Sequence, residues 1–153
     1  MTKSHKQMIF DLSQPANNGL ENFFISSSNK LVVVALKNWK DWPEKRLILQ
    51  GESGSGKSHL VDFWAKESNG VSIALFDLSS YDVIDLSHNK ALIIENIDEI
   101  KTCAPDKKRR IEEKLFHLIN ATAQTSCYLM ITTSSPVSSL EILLPDLLSR
   151  LMS

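Results

Sequence analysis

The sequence predicts an α/β fold, in which helices cover both faces of a parallel sheet. Short apolar runs with the length of buried strands occur at 46–50, 71–76, 91–94 and 127–133. Segments with apolar residues at helical spacing separate these runs. This alternation favours a parallel sheet, because parallel strands need long crossover connections. A length of 153 residues fits one domain with one sizeable core.

Composition and charge exclude several classes of protein. Hydrophobic residues make up 42% and charged residues 23% of the chain, unlike collagen-like or disordered proteins. A net charge of -1 gives no global field that would attract nucleic acid or an anionic membrane. The longest apolar run, 31–36, is too short to cross a bilayer, and the N-terminus lacks the apolar centre of a secretory signal, so we expect a cytoplasmic protein. Cys103 and Cys127 have no metal-ligand spacing, and we expect plain thiols.

The N-terminal part of the chain predicts a tail followed by a helix. Residues 1–22 are rich in turn and loop formers and contain one apolar island at 7–12. We therefore expect a tail over 1–22 and a folded domain over 23–153. A helix is predicted from the capping residue Ser28 to just before Pro43, with apolar residues at helical spacing: Leu31, Val34, Ala35 and Trp39.

The rest of the chain alternates between the two kinds of element. Apolar residues recur on one side of the predicted helices, as Leu60, Val61 and Trp64 do in the first of them. After the strand at 46–50 the predicted elements are, in order, a helix at 57–67, strands at 71–76 and 91–94, a helix over most of 109–124, and a strand at 127–133. An apolar helical stretch lies near the C-terminus.

The strongest motif follows the first of these strands. Residues 51–58, with the sequence GESGSGKS, fill the pattern GxxxxGK[ST] completely. Glycines let the backbone turn amide N–H groups towards a phosphate, Lys57 supplies a cation to the terminal phosphates, and Ser58 offers a hydroxyl to Mg²⁺. A Gly/Ser-rich loop can match by chance, but this one has the strand-to-helix setting that the motif requires. The expected nucleotide contacts are Gly51, Gly54, Ser55, Gly56, Lys57, Ser58 and His59.

A P-loop enzyme also needs carboxylates at the end of a neighbouring strand. Glu95 ends the run at 91–94 and is the candidate Mg²⁺ ligand, although its side chain is one methylene longer than the more usual Asp. Asn96 follows, and an amide can orient an attacking water but cannot accept its proton, so intrinsic hydrolysis should be poor. Asp98 or Glu99 could substitute, or both could be solvated carboxylates at the start of a loop.

Three further polar features have open interpretations. The cluster Thr132–Ser135 lies at the end of the predicted strand 127–133, whose carboxyl end faces the nucleotide. Ser134 could sense the γ-phosphate there, or the hydroxyls of the cluster could equally cap the next loop and helix. Arg150 stands on an apolar helical stretch, where an arginine is most often solvated or salt-bridged. The basic cluster 107–110 lies beside acidic residues and lacks interleaved aromatics, which favours a solvated helix start over DNA contact.

Several segments, taken in order, resemble the AAA+ family of the bacterial replication initiator DnaA: NFFISSSN, GKSHL, IENIDEI, LFHLIN, ITTSSP and LPDLLSRL. Within that family the chain is most similar to the Hda-like regulators of DnaA, including the Trp-x-Asp-Trp-Pro stretch at 39–43. The resemblance covers nearly the whole chain. It implies a P-loop NTPase with three αβα layers that binds ATP or ADP with Mg²⁺. It also implies that Phe24, Ile25 and Asn29 lie near the adenine.

The resemblance gives specific roles to the tail and to Arg150. Hda-like proteins carry a short N-terminal motif that docks into the hydrophobic pocket of the DNA polymerase sliding clamp, and residues 7–12 match it. Gln7 would form hydrogen bonds, and the pocket anchors would be Met8, Phe10 and Leu12. A short edge strand, or packing on the domain's own surface, is the alternative for this segment. Arg150 matches the arginine finger that these regulators present in trans to DnaA-bound ATP, which stimulates its hydrolysis.

The chain departs from the family pattern at its C-terminus. Family members continue past the arginine into a final sheet strand and a helical lid, whereas this sequence ends at 151–153. We therefore expect a sheet that lacks this strand, in which 46–50 forms an exposed apolar edge. Such an edge predicts marginal stability, self-association or a partner that supplies a strand. We expect contact with DNA to be only indirect, and no membrane partner. The alternatives to a DnaA regulator are a helicase-loader-type P-loop ATPase, and a non-enzymatic clamp-binding adaptor or decayed, truncated relative.

Overall fold

A computed structural model of the chain describes residues 8–12, 27–52 and 54–152. Its strands are β1 (Met8–Asp11), β2 (Arg46–Gln50), β3 (Val71–Ala74), β4 (Ala91–Glu95) and β5 (Tyr128–Thr133). Its helices are α1 (Ser27–Lys37), α2 (Lys57–Ser68), α3 (Val83–Leu86), α4 (Pro105–Ala123) and α5 (Pro145–Met152). Within these described ranges, no helix is long and apolar enough to cross a membrane.

The strands form one parallel sheet in the order β1-β2-β5-β4-β3. Strands β2, β4 and β5 are continuous apolar runs, because helices cover both faces of the sheet there. The register aligns Gln50 with Thr133, and Ile94 with Ile131. The carboxyl ends of these three strands therefore meet at one end of the sheet, and the segments that follow them lie side by side. The predicted α/β class is confirmed.

Two hydrophobic cores flank the sheet. The core under α1 and α2 is built around three tryptophans: the rings of Trp42 and Trp64 stack at 4.9 Å, and Trp39 meets Trp64 edge-on at 6.0 Å. The Trp42 Nε1 donates to the Ala35 carbonyl at 2.9 Å, so this ring keeps a hydrogen bond while buried. The opposite core is aliphatic, and α4 and α5 contribute to it Ile111, Leu115, Leu118, Ile119, Leu147 and Leu151.

Helix α1 differs from its prediction in the face that it buries. Its buried residues are Val32, Ala35 and Leu36. Leu31 and Val34, which the spacing predicts to face the core, are 68% and 47% exposed. The run at 31–36 is apolar on every side, so its sequence alone does not determine the buried face. Trp39 is buried as predicted, but it lies in a 3₁₀ turn after the helix.

Strand β1 overturns the expectation that 46–50 forms an exposed edge. It pairs in parallel with β2, and the Leu12 amide extends this pairing by donating to the Gln50 carbonyl at 2.6 Å. Phe10 packs against the core under α1 and α2, and Leu12 is buried in it. The apolar island of the predicted tail therefore covers β2, and the edge-strand interpretation of this island agrees with the structure.

The region between β3 and β4 was predicted less completely. Strand β3 ends at Ala74, before the end of the predicted run at 71–76, and the chain continues as a 3₁₀ turn over Leu75–Ser80. Helix α3 was not predicted. The Asp82 carboxylate caps it by accepting from the Ile84 amide at 2.8 Å. Such a short helix has too few residues for a recognisable apolar period.

Candidate nucleotide site

The predicted phosphate loop joins β2 to α2. Gly54 and Gly56 have φ values of +87° and +96°, in the left-handed region that favours glycine. Gly51 meets a different requirement, because a Cβ built there would lie 2.5 Å from the Ser55 Oγ. The Gly51 amide donates to the Thr133 carbonyl at 3.0 Å, which fixes the start of the loop to the end of β5. The loop conformation thus depends on the three glycines of the motif.

The loop borders a cavity of about 430 Å³ at the carboxyl end of the sheet. Cavities of this size accommodate small-molecule ligands. The first turn of α2 forms part of the wall, and helix N-termini favour phosphate because their amides lack partners within the helix and carry the positive end of its dipole. The predicted residues that line the cavity are Gly54, Gly56, Lys57, Ser58, His59, Glu95, Asn96 and Ser134.

Two hydrogen bonds hold the Lys57 ammonium at this cavity. Its Nζ donates to the Gly51 carbonyl at 2.7 Å and to the Ser134 Oγ at 3.3 Å. Burial lowers the pKa of Lys57, and the carboxylates of Asp98 and Glu95 oppose this shift. A phosphate would act in the same direction as the carboxylates, so the side chain is suited to bind terminal phosphates as a cation.

One hydroxyl and one carboxylate at the cavity fit a nucleotide with its metal ion. The predicted contacts Gly51 and Ser55 are not among the residues that line the cavity, and the Ser55 Oγ is buried without a hydrogen-bond partner among the described residues. Ser58 and Glu95 line the cavity and carry oxygen ligands of the kind that Mg²⁺ prefers. Groups of three His, Cys, Asp or Glu side chains able to hold a metal ion do not occur in the described parts of the chain. Mg²⁺ commonly takes only one or two protein ligands and the phosphates complete its shell.

Ser72 is a site residue that the sequence did not indicate. Glu95 ends β4 as predicted, and its carboxylate accepts a hydrogen bond from the Ser72 hydroxyl on β3. Such a contact orients a carboxylate that would coordinate a metal ion. No motif marks Ser72, because the contact exists only through the pairing of β3 with β4.

Asn96 lies at the cavity directly after β4. Its backbone is left-handed, with a φ of 60°, and its amide N–H donates to the Thr132 Oγ1 at 2.9 Å. Thr132 is 1% exposed, so its hydroxyl serves to connect the ends of β4 and β5. At this position the Asn96 side chain can orient a water molecule by hydrogen bonding, and it cannot take a proton from it.

Asp98 is partly buried, so it is not the solvated carboxylate of the second interpretation. Its Oδ1 accepts from the Ser134 backbone amide at 2.8 Å and so positions the residue that accepts from the Lys57 Nζ. Thr133 forms a local cap, since its Oγ1 accepts from the Ser135 amide at 3.2 Å, whereas Ser134 lines the cavity.

Arg150 lies on α5 and is not among the residues that line the cavity. It is half-buried, with its guanidinium carbon 6.0 Å from the centre of the Phe116 ring. Its carbonyl accepts from the Arg46 Nη2 at 3.5 Å.

Other predicted contacts lie outside what the structure describes, namely Gln7, Phe24, Ile25 and the side chains of Met8 and Asn29.

Comparisons with known sequences identify one curated relative. No protein-family model matches the chain. An uncharacterized protein of Haemophilus influenzae is 27% identical over 159 residues, which cover 96% of this chain and 65% of the relative. The chain thus spans slightly less than two thirds of this relative's length.

Solved structures of DnaA are similar in fold. DnaA from Aquifex aeolicus bound to AMPPCP superposes with a TM-score of 0.69 at 15% identity, over 90% of this chain and 48% of that one. DnaA bound to AMPPCP and single-stranded DNA gives 0.67 at 19% identity, over 90% and 48% of the two chains. Domain III of Thermotoga maritima DnaA gives 0.64 at 17% identity, over 90% and 64%. The chain spans about half the length of the first two, and it has the fold of the AAA+ domain of DnaA.

Proposed function

We propose that this protein binds ATP or ADP with Mg²⁺ and regulates chromosomal replication initiation by promoting hydrolysis of DnaA-bound ATP. The complete phosphate loop at an open cavity, with Lys57 held between Gly51 and Ser134, is the observation that carries nucleotide binding. The AAA+ fold of DnaA and the arginine of the SRL segment, Arg150, support the regulatory part.

Each residue at the cavity would have a distinct role in binding the nucleotide and its metal ion. The loop amides and Lys57 bind the phosphates, while Ser58 and Glu95 hold the ion, with Ser72 restraining the Glu95 carboxylate. The bound Mg²⁺ would neutralise phosphate charge. Ser134, which accepts from Lys57, would contact the terminal phosphate. Phe24 and Ile25 would contact the adenine, as the resemblance implies.

The same site should hydrolyse its own nucleotide slowly. Asn96 orients a water but cannot remove its proton at neutral pH. The Asp98 carboxylate is engaged with the Ser134 amide, which ties it to a positioning role. A slow site of this kind suits a regulator that reads or retains a nucleotide, and it is unsuited to a motor that needs rapid turnover.

The regulatory step would use Arg150 in trans. Arg150 is on α5, outside the lining of its own cavity, and in this proposal its guanidinium would reach a nucleotide bound by a neighbouring DnaA. An arginine supplied in this way raises hydrolysis by about three to five powers of ten in GTPases. Gln7, Met8, Phe10 and Leu12 would bring the protein to the sliding clamp, so that contact with DNA is indirect.

Nucleotide binding is tested by thermal unfolding with Mg-ADP and Mg-ATP. A ligand at one hundred times its Kd stabilises a protein by about 2.7 kcal/mol. We expect a shift in Tm with the unmodified chain and none with Lys57→Ala. Lys66→Ala, which removes an exposed lysine from the same helix, is the matched control and should keep the shift. An unchanged Tm in a chain that unfolds cooperatively would refute nucleotide binding.

The regulatory step is tested with ATP-bound DnaA and clamp-loaded DNA. The protein should accelerate hydrolysis by DnaA, and Arg150→Ala should abolish the acceleration. Arg109→Ala, an exposed arginine on α4, should retain it. Equal stimulation by Arg150→Ala would contradict the finger, and no stimulation at all would contradict regulation of DnaA. Rapid turnover by the protein alone, lost in Glu95→Gln, would favour a helicase-loader-type ATPase instead.

A further inference from the structure

Two apolar side chains hold the N-terminal segment on the domain, namely Phe10 in β1 and Leu12 directly after it. Phe10 packs against the core under α1 and α2, and Leu12 is 7% exposed. The alternate residues are open to solvent: Ile9 is 43% exposed and Asp11 is also exposed. β1 is an edge strand, and β2 is the only strand with which it pairs in the described sheet. The strand is thus attached on one side and through alternate side chains.

These two side chains have a second use in the function proposed above. Phe10 and Leu12 are the residues that clamp docking would insert into an apolar pocket. A side chain packed beside β2 cannot at the same time fill a pocket on another protein. Fourteen residues, 13–26, separate Leu12 from α1 in the sequence, and a chain of that length reaches at most about 50 Å.

Leu12 also touches the beginning of the phosphate loop. A Cβ built on Gly51 would lie 2.9 Å from the Leu12 Cβ, which shows how closely Leu12 packs over this glycine. The Gly51 carbonyl in turn accepts from the Lys57 Nζ at 2.7 Å. Removal of β1 therefore removes packing from the residue that positions the phosphate-binding lysine.

We propose that β1 is an exchangeable strand: it pairs either with β2 or with the apolar pocket of the sliding clamp, and its release weakens nucleotide binding. The proposal rests on the clamp docking proposed above. Because coupling between two binding sites is reciprocal, a bound nucleotide favours the paired strand and weakens clamp docking by the same factor. The nucleotide site and the clamp-binding segment thereby become one switch.

A disulfide between β1 and β2 tests the exchange. Asp11 and Gln50 are register partners, and neighbouring strands lie about 4.8 Å apart, within the range that a disulfide spans. The test protein carries Asp11→Cys and Gln50→Cys, with Cys103→Ser to prevent mispairing. Its oxidised form should bind the clamp at least about tenfold more weakly than its reduced form. The control, Asp11→Cys with Cys103→Ser, should bind equally under both conditions.

The outcomes separate this proposal from clamp docking itself. Equal clamp binding by the oxidised and reduced forms would overturn the exchange and leave clamp docking intact. Absence of binding by the reduced form and by the unmodified chain would overturn both. Amide exchange in the unmodified chain gives an independent check if the disulfide fails to form. Saturating clamp should accelerate exchange over 46–50, and unchanged exchange would overturn the release of β1.

Nucleotide affinity measures the coupling without the clamp. Fluorescent ADP should bind about fivefold to tenfold more tightly to the oxidised disulfide form than to the Leu12→Ser variant, which weakens the packing of β1. Ile9→Ser, at an exposed position of the same strand, is the matched control and should bind as the unmodified chain does. Equal affinity of all forms would overturn the link between β1 and the phosphate loop.

Discussion

Strand β2 has two neighbours of contrasting character. On one side β5 pairs with it over five positions, and the side chains of β5 are buried from Leu129 to Thr133. On the other side β1 pairs over four positions, with Phe10 half-buried and with Ile9 and Asp11 exposed. Strand β5 is covered on both faces of the sheet, whereas β1 is an edge strand that packs against one core only. Two strands with the same kind of backbone pairing can therefore differ in stability, so that β1 opens with a lower free energy than β5.

The largest difference is expected between Ile131→Ala in β5 and Phe10→Ala in β1. Ile131 is fully buried in the aliphatic core, and its truncation should lower the free energy of unfolding by about 3 kcal/mol. Phe10→Ala should lower it by about 1 kcal/mol, because the loss cannot exceed the free energy with which β1 docks on the otherwise folded domain. Urea denaturation of both variants measures the two values. Equal losses would show that β1 is as integral to the fold as β5.

The next effect is expected at Gly51, which contacts both neighbours of β2. Gly51→Ala would place a Cβ within 3 Å of Ser55 and Leu12, and we expect a loss of about 2 kcal/mol. Gly54→Ala is the matched control from the same loop, since a Cβ there meets no atom within 4 Å and only its φ of +87° opposes it, at a cost of about 1 kcal/mol.

Amide exchange distinguishes the two glycine variants further. Gly51→Ala should accelerate exchange of the β1 amides, because the new methyl group displaces Leu12. Gly54→Ala should leave these amides as they are in the unmodified chain. Similar exchange of β1 in both variants would mean that Leu12 accommodates the methyl group, which would weaken the physical link between β1 and the loop.

The sequence predicted the elements whose signals are local. The phosphate loop, the runs that became β2, β4 and β5, and the helix α2 were all located from residues within one short window. The apolar island at 7–12 was also visible, but its pairing depends on a free side of β2, which is remote in sequence. For that reason the exposed edge was predicted at the wrong strand.

Long-range packing explains the other errors. Lys108 belongs to the basic cluster that was interpreted as solvated, yet it is buried and its Nζ donates to the Glu141 carbonyl. On the same helix the Glu112 carboxylate accepts from the Leu144 amide at 2.7 Å. The segment that buries these two charges follows β5, so no window around α4 could have indicated it. The contact of Asp98 with the Ser134 amide was missed for the same reason, as Ser134 lies after β5.

Asp98 supplies a prediction on the β5 side of the comparison. Asp98→Ala removes the acceptor for the Ser134 amide, and a hydrogen bond to a charged group contributes about 1.5 kcal/mol. The Ser134 hydroxyl should then hold Lys57 less well, which weakens binding of Mg-ADP. The neighbouring Glu99→Ala is the control and should change neither stability nor affinity appreciably. Loss of stability without any change in affinity would limit Asp98 to a structural role.

A further effect, confined to alkaline pH, is expected from Cys127, which directly precedes β5. Burial raises the pKa of its thiol to about 12, from a usual value of 9.0. Between these two values the unfolded chain loses the proton and the folded chain keeps it, so stability falls as the pH rises above 9. Between pH 8 and pH 10.5 the Tm should therefore fall less steeply with pH for Cys127→Ala than for Cys103→Ala. Parallel pH profiles would mean that the start of β5 opens to solvent as readily as β1.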